Sequence, residues 1–78
     1  MTRIKSVTPR DGYRLEVLLA NGSSVILDLS SRLNTVRFGL LEDEAFFRSA
    51  TTDGDFVRWG SQIEVSASEI FQLAQKQW

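Results

Sequence analysis

The densest group of carboxylates in the chain is Glu42, Asp43 and Glu44. As an acid–base pair or a metal site they would have to converge in a cleft that shifts their pKa values. Adjacent residues on a helix point away from one another, so the run reads as the solvated first turn of a helix. Asp53 and Asp55 flank Gly54 and resemble a fragment of a calcium loop, but the acidic residues are not spaced to complete one. Serines recur along the sequence, yet the chain has no histidine to activate them as nucleophiles. It also has no cysteine, which removes disulfides and thiolate metal sites. Lys5 and Lys76 lie near the ends and read as solvated, and no glycine-rich phosphate loop is present. The expectation is a protein without enzymatic activity, metal or cofactor.

Basic residues raise a second chemistry. Arg3, Lys5, Arg10 and Arg14 would form a nucleic-acid stripe with Tyr13 if they shared a face. Residues 1–40 hold six basic and three acidic side chains, net +3, and residues 41–78 hold three and seven, net −4. The whole chain carries −1, which weighs against a nucleic-acid module. A helix-turn-helix needs two adjacent helices, and the last helix here is preceded by a β-hairpin.

The elements that must position these groups are short. Seventy-eight residues have material for one core, so residues 1–78 read as one domain. Composition is that of a soluble globular domain, 42% hydrophobic and 24% charged. No stretch is apolar enough for a signal peptide or membrane span, and a cytoplasmic location is expected. Residues 3–8 carry a weak strand signal that Pro9 ends or confines to a sheet edge. YRLEVLLANGSSVILDLS, residues 13–30, is the clearest element, a hairpin. A two-residue turn at Asn21–Gly22 would point Asp28 into the core. A three-residue loop of Ala20, Asn21 and Gly22 pairs Tyr13 with Leu29, Leu15 with Leu27 and Val17 with Val25 instead. That register sets Arg14 opposite Asp28 and leaves Leu18 and Ile26 on the outer face, either beneath a later helix or loop or as a binding patch.

Beyond the hairpin, Ser30 or Ser31 is placed to cap one helical turn through Leu33. Residues 41–50 read as a helix burying Leu40, Leu41, Ala45, Phe46 and Phe47, with Phe38 anchoring its start. Thr51–Gly54 is a turn. FVRW at 56–59 and QIEV at 62–65 form a second hairpin around Gly60. Ser66 and Glu69 have capping-box spacing and open a helix that carries Ile70, Leu73, Ala74 and Trp78, with Phe71 close by. The expected fold is α+β: an antiparallel sheet of about five short strands, short helices, and a C-terminal helix packed on the sheet. Its core comprises Tyr13, Leu15, Val17, Val25, Leu27, Leu29, Phe38, Phe47, Trp59, Ile63, Ile70 and Leu73. Trp59 is expected to close that core beneath Ile70 and Leu73.

Four segments carry a resemblance to a known family: IKSVTP at 4–9, the hairpin at 13–30, FGLLEDEAFF at 38–47 and VRWGSQIEVSASEIF at 57–71. In their order and spacing the chain resembles the small bacterial domain of unknown function 2442. Members often have a further polar residue between the tryptophan and the glycine, whereas Gly60 follows Trp59 directly; Glu64 matches the acidic residue that follows. The resemblance implies a small α+β domain with an antiparallel sheet and no established activity. Some members are fused to a helix-turn-helix domain, and some look like partners of a toxin-like protein encoded beside them. The chain ends at Trp78 without room for an appended helix-turn-helix, which weighs against DNA binding.

These readings favour a protein–protein interaction or regulatory partner, antitoxin-like in character, with Leu18, Ile26 and Trp78 as anchors. The alternatives are a nucleic-acid-binding module and a structural homo-oligomeric subunit.

Overall fold

A computed structural model describes residues 3–75. Trp78, one of the three expected anchors, and Lys76 lie outside the described residues. Alternating polarity builds three strands, β1 (Ile4–Arg10), β2 (Arg14–Leu19) and β3 (Ser24–Asp28), into an antiparallel sheet in that order. Three more, β4 (Thr51–Thr52), β5 (Phe56–Trp59) and β6 (Ile63–Ser66), form a second antiparallel sheet. Two 3-10 turns (Ser30–Arg32 and Gly39–Glu42) and a one-turn helix α1 (Glu44–Phe47) connect the sheets. Helix α2 (Ala67–Gln75) then lies against β3 and β6. The fold is the expected α+β type; among the described residues six strands are divided between two sheets.

The β2–β3 hairpin has the expected register, with Leu15 opposite Leu27, Val17 opposite Val25 and Arg14 opposite Asp28. Its loop is closed by the Leu19 amide donating to the Ser23 carbonyl at 2.8 Å. Gly22 takes φ +92°, a left-handed conformation that glycine adopts at little cost. Keeping Asp28 out of the apolar interior fixes this register.

Strand β1 runs through Pro9, which is tolerated because β1 is at the edge of its sheet. A bulge between Ile4 and Ser6 inserts Lys5 out of step. Ile4 and Val7, three residues apart, are thereby both brought opposite core-facing residues, Leu19 and Val17. The Ile4 amide donates to the Gly54 carbonyl at 2.8 Å and ties this edge to the second sheet.

One continuous core fills the space between these elements. Leu15, Leu27, Leu29, Phe38, Phe47, Trp59, Ile63 and Ile70 are buried as expected, with Val17, while Tyr13, Val25 and Leu73 are half-buried against them. Ile4, Leu19, Leu41, Val57, Val65 and Ala67 also belong to the buried set. Trp59 is fully buried, and its Nε1–H donates to the Phe47 carbonyl at 2.9 Å. Its ring stacks on Phe47 with centroids 6.3 Å apart, and Phe47 meets Tyr13 edge-on at 5.5 Å.

Three local expectations are corrected. The helix expected over 41–50 is cut at Asp43, whose backbone is extended (ψ 109°) and whose side chain accepts from the Ala45 and Phe46 amides. An aspartate that can cap starts a new helix more favourably than it continues an old one. In consequence Leu41 and Phe47 are buried, Phe46 is half-buried, and Leu40 and Ala45 are exposed. The turn at 30–32 has Leu29 in the capping position, and neither serine caps it through a side chain. Asp28 instead accepts from both the amide and the hydroxyl of Ser30. Thr51 and Thr52 are a strand paired with Arg58 and Val57, so the turn is confined to Asp53–Asp55.

The capping box is half-formed. Ser66 Oγ accepts from the Glu69 amide at 3.2 Å. The Glu69 carboxylate instead pairs with Arg37, which also donates to the Glu64 carbonyl at 3.0 Å. The loop before Phe38 is fastened in this way to the start of α2.

Candidate functional site

The outer face of the first sheet follows directly from its register. Three cross-strand rows occupy it: Ser6–Leu18–Ser24, Thr8–Glu16–Ile26 and Arg10–Arg14–Asp28. The helical elements put Phe38, Leu41, Phe47 and Ile70 into the same core as Leu15 and Leu27, on the opposite face. On this face Leu18 is half-buried and Ile26 is 48% exposed.

The charged groups around these two residues are ordered. Arg10 donates twice to Glu16, at 2.5 and 3.1 Å, beside Ile26. Hydrogen bonds from the hydroxyl and amide of Ser30 hold the Asp28 carboxyl below its ordinary range, with Arg14 adding attraction and partial burial opposing. The surface thus carries two neighbouring apolar side chains among charged groups of both signs.

The four basic residues raised above, Arg3, Lys5, Arg10 and Arg14, are separated along the first sheet. Arg3 precedes β1 and Arg10 ends it, so the two are about 20 Å apart at the ordinary strand rise. Arg3 donates to the Asp53 carbonyl at 3.1 Å and is 3.7 Å from the Asp55 carboxylate. Arg10 and Arg14 are brought opposite one another, while Lys5 sits exposed at the bulge. Tyr13 is half-buried with its hydroxyl donating to the Glu42 carbonyl at 2.6 Å, so its ring is not presented for base stacking.

The carboxylates are likewise engaged. Asp43 caps α1, and Glu44 shares Arg48 with Asp11. Counted from Asp53, Glu64 falls at the twelfth position, where a calcium loop closes, so the spacing of the acidic residues alone does not exclude one. Arg58 stands where that loop needs its glycine, and it ion-pairs both Asp53 and Glu64. This pair, with amides of Asp55 and Phe56, holds the Asp53 carboxyl far below the usual carboxylate range. Among the described residues no group of three or more carboxylates converges to hold a metal. No helix among them is long and apolar enough to cross a membrane.

A second surface feature lies outside the sequence expectations. Leu40, Asp43, Phe46 and Gln62 line an open groove of about 380 Å³. Leu40 is 55% exposed there because the chain turns at Asp43, which leaves Leu41 to enter the core in its place. The Leu40–Leu41 doublet followed by a capping aspartate is the signal that would have found it.

No family model matches the chain, and neither a curated protein nor a solved structure matches it.

Proposed function

We propose that the chain is a non-enzymatic protein–protein interaction domain, a regulatory or antitoxin-like partner that binds through the outer face of its first sheet. One observation carries this reading: Ile26 stands 48% exposed beside half-buried Leu18 on a face opposite the core. Large apolar side chains exposed among polar neighbours are common anchors of binding. The pairing of Arg3, Arg10 and Arg58 with carboxylates favours this reading over a nucleic-acid module, since those cations are already neutralised. The resemblance to domain of unknown function 2442 belongs to the same proposal, as does a cytoplasmic location, because some members of that family look like partners of an adjacent toxin-like protein.

The test is co-purification of the wild-type chain and Ile26→Glu with the product of the neighbouring reading frame. Recovery with the wild type and loss with a variant of unchanged circular dichroism supports the interface. Equal recovery with both, or none with either, removes it.

A further inference from the structure

We infer that the groove between Leu40 and Phe46 is a second docking site, for a peptide segment of another protein that presents an apolar side chain flanked by lysine or arginine. The floor is apolar, formed by exposed Leu40 and half-buried Phe46. Phe46 rests on Gly60, where a Cβ would come within 3.4 Å of its ring. The rim is acidic. Asp43 lines the groove, and Glu42 precedes it in the chain; both are exposed. Among the described residues neither carboxylate is ion-paired, whereas Glu44, Asp53, Glu64 and Glu69 each have an arginine. Unneutralised negative charge beside an apolar floor is complementary to a cationic segment with one apolar residue.

The walls are fixed before any ligand arrives. The Asp43 Oδ1 atom is held by the Ala45 and Phe46 amides at 3.0 and 3.4 Å, which leaves the second oxygen for a cation. The Tyr13 hydroxyl holds the Glu42 carbonyl, and the backbone amide of Gln62 donates to the Trp59 carbonyl at 3.2 Å, which fixes the turn that carries Gln62. Such preorganisation lowers the ordering cost of binding. The groove is open along its length, so it covers one side of an occupant. That suits a side chain carried on a peptide backbone better than an enclosed small molecule.

The probe is an acetylated, amidated synthetic peptide of alternating lysine and leucine, titrated into the full chain and followed by two-dimensional amide NMR. Shifts should concentrate at Leu40, Asp43, Phe46 and Gln62 and weaken with added salt. Asp43→Asn keeps the helix cap and removes the charge, and should weaken binding about threefold to fivefold. Leu40→Ser should weaken it about tenfold. Ile26→Glu should leave it unchanged, which separates this site from the outer face of the sheet. The spectrum of each variant reports whether it folds. Absence of shifts, equal binding of a peptide with glutamate in place of lysine, or shifts centred on Leu18 and Ile26 would overturn the inference. Self-association of the free chain that disappears in Asp43→Asn would overturn it too, by placing a second copy in the groove.

Discussion

Replacing Trp59 by phenylalanine tests how much of this small domain depends on one side chain. Trp59 is fully buried, and its Nε1–H is bonded to the Phe47 carbonyl at 2.9 Å. Phenylalanine retains a ring to stack on Phe47 but cannot donate that hydrogen bond. Leaving the carbonyl unsatisfied costs about 1–3 kcal/mol. The smaller ring leaves roughly 40 Å³ unfilled, which adds about 1 kcal/mol at about 24 cal/mol per Å³. The total, about 2–4 kcal/mol, compares with roughly 4–12 kcal/mol expected for the whole domain at this length. Urea unfolding followed by far-ultraviolet circular dichroism reads the change. With a slope of about 1 kcal/mol/M, the midpoint should fall by about 2 M or more. A fall of under about 0.5 M at unchanged slope would show that neither the hydrogen bond nor the packing has the assigned weight.

Other consequences follow from neighbouring contacts. With Trp78 replaced by phenylalanine, Trp59 emission should be blue-shifted in the folded chain and move to the red in urea; a solvent-exposed maximum under native conditions contradicts its burial. Gly54 has φ +103°, and a Cβ there would run into the Arg3 guanidinium. Gly54→Ala should therefore cost roughly 1–3 kcal/mol from backbone strain, with an additional steric part that Arg3→Ala relieves in a double-mutant cycle. The folded-state pKa of Asp28 lies below its unfolded value. Its contribution to stability is thus present above about pH 4 and lost as pH falls through the folded value. Asp28→Asn should flatten the acid side of a stability-against-pH curve, and an unchanged curve would remove the role assigned to the Ser30 hydrogen bonds.

The parts of this fold legible in the sequence are those set by contacts close along the chain. The β2–β3 register could be read because only one alignment keeps Asp28 out of the core while pairing Leu15 with Leu27. Trp59 was placed inside by its alternation with Arg58. The cut at Asp43 was missed because it competes with an unbroken helical pattern and is reinforced from afar by the Tyr13 hydroxyl on Glu42. The bulge at Lys5 was hidden for a similar reason, since Ile4 is held by Gly54, fifty residues later. The groove beside Leu40 depends on the first of these and was lost with it. Of the interaction surface, Leu18 and Ile26 could be assigned to the outer face from the side-chain period of two, but their exposure depends on where the helices pack.

The proposal that the outer face of the first sheet contacts a partner can be tested inside cells. The most direct measurement places a photo-crosslinking amino acid at position 26 in cells, with position 21 at the exposed hairpin tip as the comparison. A discrete adduct of higher mass formed from position 26 and not from position 21 is the predicted result. No adduct, or the same products from both positions, would contradict the claim.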